Sequence, residues 1–335
     1  MKPWVLRLLC CPSCRQPLRL EPLRLDGDDV DSGWLVCSEC PEAYRIVRGI
    51  PRFVRSAHYA IGNALGWTDI RRIHLDAING TRETEDALSA CTGWTSSTYR
   101  GRLVLDLGVG SGRFAEAAAR YGAEVVGVDF NATVDVARRE FGHLANLHLI
   151  QADLSAIPLR PDTFDVVYSM GVLHYTPNPA HAFAEAKSTV KPSGTLAVML
   201  SNRDGFARRS SSRIRVVTTR LPLGVVLAAA SMSIPLYYGF RLPWVGSVLR
   251  AVCPVSMHAE WRRRWLETFN WYTASYQWYL QPLEVSRWFQ SNGFTDVEIG
   301  RGSIYVRGKK RDVSVEAPMD VPSVQSAPVR LVAQR

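Results

Sequence analysis

Lysine is missing from the stretch Ser201–Arg264, and acids are scarce there: only Asp204 and Glu260 stand against eleven arginines. Eleven minus two is +9, the formal net charge of the whole 335-residue chain, so the remainder is balanced. This argues against a uniform nucleic-acid-binding surface and leaves one local cationic region. Cysteine is just as uneven. Five of the seven lie within the first 40 residues, leaving Cys91 and Cys253 alone. That is not a secreted disulfide framework; it favours a reducing compartment with a local metal site. In "MKPWVLRLLCCPSC" cysteines stand where a cleavage site would follow the short apolar run, so no secretory leader is expected. No internal repeat is present.

The chain itself reads as a small module, a linker and one large domain. Residues 1–54 combine apolar and Cys-rich segments around the polar loop "LDGDDVDSG". Residues 55–100 read as a helical linker. From Arg102, short β-branched runs ("RLVLDL", "AEVVGVD", "NLHLIQ", "FDVVYSM", "GTLAVMLS") alternate with helical segments such as "RFAEAAARYG" and "VDVARREFG". This alternation predicts an α/β fold: a doubly wound, mostly parallel sheet covered on both faces. An Arg-rich, apolar insertion over 202–270 interrupts a domain of 101–311. The helix "PLEVSRWFQSNGF" and the hairpin "TDVEIGRGSIYVRG" then complete it. Residues 312–335 lack periodicity and read as a disordered tail.

The stretch "VLDLGVGSGR" places Gly108, Gly110 and Gly112 where the first strand of that domain ends. Glycine permits left-handed backbone angles and lets a ligand approach the main chain. A dinucleotide fold would need G-x-G-x-x-G, but its third glycine falls on Arg113. The order Asp106-x-Gly108-x-Gly110-x-Gly112 instead resembles the first motif of class I S-adenosylmethionine-dependent methyltransferases. The resemblance continues with Asp129 at the end of "VVGVDF", with Asp153 and Leu154 in "QADLSAIPL", and with "FDVVYSMGVLHYTPNP", which is similar to the "VLHH" stretch of small-molecule methyltransferases. It covers about residues 102–201 and 282–308. It implies a seven-stranded Rossmann-like sheet in which Asp129 binds the ribose hydroxyls of S-adenosylmethionine. Asp153 would lie at the adenine amino group, and Asp106 would orient the loop or the cofactor amine.

Two C-x-x-C pairs, Cys11/Cys14 and Cys37/Cys40, lie 22 residues apart and suit a four-sulfur tetrahedral zinc site. A redox dithiol is the rival, but it leaves the second matched pair unexplained. Cys10 could replace Cys11, although C-x-x-C spacing favours Cys11. The segment "LLCCPSCRQPL…WLVCSECPEAYRIVRGIPRF" resembles the zinc ribbon known as an activator subunit of tRNA and protein methyltransferases. That resemblance implies a structural site, concerned with stability, partner contact or substrate positioning rather than chemistry.

The family's "DPPY"-like or "NPPY"-like marker of base amino methylation is absent, and so is a Pro-Cys nucleophile for pyrimidine carbon methylation. His174 and Tyr175 stand at the end of the fourth strand, as a base, substrate contacts or pocket wall. In "FNWYTASYQWYL", Tyr272 and Tyr276 are candidates for walling the active site, with core packing as the alternative. Leu221–Phe240 is an uncharged run of twenty residues, flanked upstream by six arginines. It is long enough to span a bilayer, but Pro222, Gly224 and Pro235 interrupt it. The readings are a lid over an apolar acceptor that touches the membrane surface, a buried cap with a solvated arginine face, or a span or RNA contact. The expected function is methyl transfer to a small, apolar or lipid- or sugar-linked acceptor. It would take place in the cytoplasm, with peripheral contact at the inner membrane surface through 202–264. Nucleic acid is not favoured, because the ribbon carries "LDGDDVD". An RNA methyltransferase and a non-catalytic cofactor-binding partner remain the rival classes.

Overall fold

The computed structural model describes residues 1–54, 76, 80–200, 217–242, 244, 246, 249, 255–300, 304–312 and 330–331. The N-terminal module opens with a 3-10 turn at Pro3–Leu8. A four-stranded antiparallel meander follows: β1 (Leu18–Asp26), β2 (Asp29–Cys37), β3 (Ala43–Val47) and β4 (Ile50–Arg52). The β3–β4 turn places Arg48 and Gly49 at φ 53° and 73°, the left-handed pair that a two-residue type I′ hairpin requires. Val5, Leu9, Val30, Leu35 and Ile46 are buried beneath it.

Helices α1 (Glu83–Thr92) and α2 (Ser96–Tyr99) lead into the α/β domain. Strands β5 (Leu103–Leu107), β6 (Glu124–Asp129) and β7 (Leu147–Gln151) are connected by α3 (Arg113–Arg120) and α4 (Thr133–Phe141). The chain then crosses to β8 (Phe164–Met170), α5 (Pro179–Thr189) and β9 (Val190–Leu200). It closes with α9 (Pro282–Ser291), β10 (Phe294–Gly300) and β11 (Ile304–Lys310). Strand order is β7-β6-β5-β8-β9-β11-β10, parallel except for β11. This is the seven-stranded, mostly parallel sheet that the alternation predicts. Its central strands are apolar because helices cover both faces. Strand order reverses between β5 and β8, and ligands of open α/β sheets bind at such a switch point.

The N-terminal module is joined to this sheet edge to edge. Strand β4 runs parallel to β7 through the pair Arg52–Gln151, so one twelve-stranded sheet spans both units. The seam is reinforced by a bridge between Leu9 and Leu159 and by Cys10 N–H donating to the Pro158 carbonyl at 3.0 Å. It also encloses a cavity of about 350 Å³, lined among others by Lys2, Asp29, Arg138 and His143, away from the glycine loop. At the far edge a two-residue strand β12 (Arg330–Leu331) pairs with β10; the other residues read as a tail from 313 onward lie outside those described.

The apolar run of the insertion forms two short helices, α6 (Leu223–Ser231) and α7 (Ser233–Phe240), rather than one long one. Pro235 has no N–H to give the Ser231 carbonyl, which interrupts the helical ladder there. No helix among the described residues is long and apolar enough to cross a membrane. Helix α8 (Trp261–Thr273) packs on α6 around a separate core of Val226, Ala230, Leu266, Phe269 and Tyr272.

Candidate functional site

The glycine loop lies between the end of β5 and α3. Gly108, Gly110 and Gly112 all have positive φ, at 88°, 55° and 91°. Their surroundings differ. A Cβ on Gly108 would sit 2.3 Å from the Val172 side chain, and one on Gly112 would sit 2.9 Å from Phe141. A Cβ on Gly110 would meet nothing nearer than the Gly108 carbonyl at 4.0 Å, so this glycine presents open backbone to a ligand. Asp129, at the end of β6, anchors the loop: Gly110 N–H donates to Oδ2 at 2.9 Å and Asn131 N–H to Oδ1 at 2.8 Å.

Asp106 lies beneath the loop, only 1% exposed, and neither carboxyl oxygen has a hydrogen-bond partner among the described residues. Burial pushes this carboxyl up to about 8, with the Tyr168 phenol beside it acting in the opposite direction. The phenol approaches without closing a hydrogen bond of ordinary geometry. An orphaned buried acid at this point is chemically suited to a ligand bearing ammonium and sulfonium charge, as S-adenosylmethionine does. Asp153 follows β7 and caps its own turn, accepting the Ser155 N–H at 2.8 Å; Leu154 beside it buries its side chain in the core. Across the switch point, His174 is buried and its ring lies 4.1 Å from that of Tyr175.

The aromatic segment before α9 divides. Tyr272 packs inside the cap core, whereas Tyr276 is half exposed. Trp278, which sequence reasoning passed over, ties the segment to the turn after β8. Its backbone N–H donates to the His174 carbonyl at 2.9 Å and its indole to the Thr176 carbonyl at 3.1 Å. The arginines of the insertion are not one face. Arg264 is buried, giving hydrogen bonds to the His258 and Ala259 carbonyls and covering the Tyr237 ring at 3.9 Å. Arg263 pairs with Glu83 of α1, while Arg220, Arg241 and Arg262 are exposed. Arg203, Arg208, Arg209, Arg213, Arg215 and Arg250, like Cys253, lie outside the described residues.

In the N-terminal module the sulfurs of Cys11, Cys14, Cys37 and Cys40 all lie within 4.8 Å of one another. Three pairs are 3.4 to 3.7 Å apart. A tetrahedron with zinc–sulfur bonds of about 2.3 Å has sulfur edges of about 3.8 Å, so the four thiols fit the ion. Cys10 is buried outside the cluster, which leaves Cys11 as the ligand from that end. The Glu39 N–H, 3.5 Å from Cys37 Sγ, holds that thiol below its ordinary range.

A glycine loop and an acid at a switch point define a nucleotide-cofactor fold, here joined to a zinc ribbon. The family comparisons make both assignments specific: residues 105–198 match the methyltransferase domain model and residues 2–49 match the Trm112p-like protein model. The chain therefore carries a methyltransferase domain, whose family uses S-adenosylmethionine, behind a Trm112p-like domain. Ubiquinone biosynthesis O-methyltransferases are similar to it. That of Coxiella burnetii is 31% identical over 109 residues, 32% of this chain and 47% of the relative. That of Thiobacillus denitrificans is 37% identical over 114 residues, 33% of this chain and 49% of the relative. The chain thus spans about half the length of the curated relatives it matches. Among solved structures, a SAM-dependent methyltransferase from Aquifex aeolicus is 14% identical, with 72% of this chain and 97% of that one covered and a TM-score of 0.42. A complex containing the Haloferax volcanii Trm112 methyltransferase activator gives 15%, 69%, 93% and 0.40.

Two outcomes check this site. Metal analysis should find one zinc per chain, lost in a Cys37→Ser/Cys40→Ser variant whose ribbon no longer folds, because so small a module draws much of its folding energy from the ion. The second concerns pH. Asp106 has a folded pKa above its unfolded value of about 3.9, so between about pH 4 and 8 the native state holds a proton that the unfolded state has lost. Its contribution to stability therefore falls as pH rises through that window. Asp106→Asn should flatten that part of the slope in denaturation measured across the range.

Proposed function

We propose that this chain transfers the methyl group of S-adenosylmethionine to a small, apolar or lipid- or sugar-linked acceptor. The observation that carries the reading is Asp129, clasped by the Gly110 and Asn131 N–H groups at the open face of the glycine loop. The cofactor supplies an already activated methyl group. The protein's task is to bind the ribose through Asp129, turn the adenine toward Asp153 and Leu154, and hold the acceptor in line. His174 and Tyr175, next to the glycine loop through the Val172–Gly108 contact, face the acceptor, and His174 takes its proton. The cap formed by α6, α7 and α8 excludes water and supplies apolar walls, with Tyr276 at its rim. The ubiquinone-biosynthesis relatives support an apolar O-methyl acceptor. Calorimetry should show S-adenosylmethionine binding to the wild type, weakened by about 1.5–3 kcal/mol in Asp129→Ala, the worth of hydrogen bonds to a charged group. Equal affinity in the two proteins contradicts the reading.

We further propose that the cap holds the enzyme on the cytoplasmic face of an anionic membrane. Val217, Leu221, Val225, Met232, Tyr238, Leu242 and Trp244 expose large apolar side chains there, beside the exposed Arg220 and Arg241. Apolar insertion combined with basic residues, each adding about 1 kcal/mol near such a surface, suits an interfacial segment. Co-sedimentation with anionic vesicles should weaken with salt and weaken again in Arg220→Gln/Arg241→Gln/Trp244→Ser. Protein that stays in the supernatant at low salt leaves a cap over a water-borne acceptor.

A further inference from the structure

Two arginines of the N-terminal module reach out of it to turns of the α/β domain, Arg52 to α4 and the end of β7, and Arg15 to the segment after β7. Arg52 ends β4 and is 7% exposed. Its guanidinium grips Asp135 of α4 in bidentate fashion, Nη2 to Oδ1 at 2.7 Å and Nη1 to Oδ2 at 3.2 Å. Nη1 also donates to Gln151 Oε1 at 3.0 Å. Gln151, the last residue of β7, is fully buried and passes the contact on: its Nε2 donates to the Phe130 carbonyl at 2.9 Å. Phe130 is the residue after Asp129. The backbone repeats the linkage, with Phe53 N–H donating to the Gln151 carbonyl at 2.7 Å and Ala152 N–H to the Asp129 carbonyl at 3.0 Å. Arg15, beside the first cysteine knuckle, holds the opposite end of the loop that Asp153 begins. It donates to the Ile157 carbonyl at 2.6 Å and to Glu185, whose carboxylate in turn accepts the Ile157 N–H at 3.2 Å.

A buried guanidinium with two separate acceptors fixes both of them, because a planar donor fork tolerates little rotation. Displacing Gln151 removes its hydrogen bond to the Phe130 carbonyl, one of the ties that fix the Asp129 turn. A binding carboxylate that moves by about half an ångström no longer matches its ligand. We propose that Arg52 is a positioning residue for the cofactor, transmitting the seating of the N-terminal domain to the ribose-binding Asp129 through Gln151. The proposal rests on the reading of Asp129 given above.

The test is S-adenosylmethionine affinity of the full chain, measured by calorimetry beside thermal unfolding, for Arg52→Met, Gln151→Met and the double variant. Each single variant should raise Kd about tenfold, and the double no more than either, because residues in one network are not additive. On an Asp129→Ala background, Arg52→Met should add nothing further. Gln151→Met keeps the Arg52–Asp135 pair, so it tests the relay should Arg52→Met fail to fold. Val30→Ala, which weakens the core of the N-terminal domain without touching the relay, serves as control and should lower the melting temperature with Kd unchanged. If both relay variants unfold earlier but bind with the wild-type Kd, the contacts are a clasp and the proposal is overturned. If Val30→Ala weakens binding as much, general loosening of the domain explains the effect and the proposal is likewise overturned. Failure of the wild type itself to bind refutes the reading of the site instead.

Discussion

The Asp129 carboxylate is where the architecture converges. It accepts one N–H from the glycine loop and one from its own turn, and so pins Gly110 over the end of the sheet. Charge-assisted hydrogen bonds of this kind are short and directional, and they set the loop before any ligand arrives. The loop then fixes its neighbours. Gly108 packs so closely against Val172 that only a residue without Cβ fits, which brings the turn after β8 against the glycine loop. Trp278 clamps that turn from the other side. Two ends of parallel strands and one cap segment are thereby registered through few atoms.

Two kinds of electrostatic environment are built around that point. Above the sheet the loop offers backbone N–H groups and the Asp129 carboxyl, buried and held by two of them. Below it, Asp106, Tyr99 and Tyr168 form a layer of buried polar groups whose ionisation is opposed by desolvation. The cap is different in character. It has its own small core and presents apolar side chains to the outside, while Arg264, buried over Tyr237, braces it from within.

The insertion shows why composition alone misleads. Counting charges treats its arginines as one cationic region, yet Arg264 is an internal strut and Arg263 is half of an ion pair to α1. The same holds for its aromatics: Tyr272 and Tyr276 are four residues apart in a suggestive stretch, but one is packed in the small core with α6 and the other is half exposed. Spacing ranks residues by type and cannot tell which face of a helix meets a neighbour.

What the sequence by itself determined is whatever short-range chemistry dictates. Paired C-x-x-C knuckles, the left-handed glycines after an apolar strand, the acid at the end of the next strand and the alternation of strand and helix are all properties of a few adjacent residues. Only the tertiary structure decided the rest. Arg52 meets Asp135 across 83 residues, Trp278 meets Thr176 across 102, and Arg15 meets Glu185 across 170. It also decided that two separately patterned modules share one sheet, because the edge of β7 leaves backbone groups that must be paired and β4 supplies them. Contacts of that range depend on how the elements pack, and no local pattern carries them.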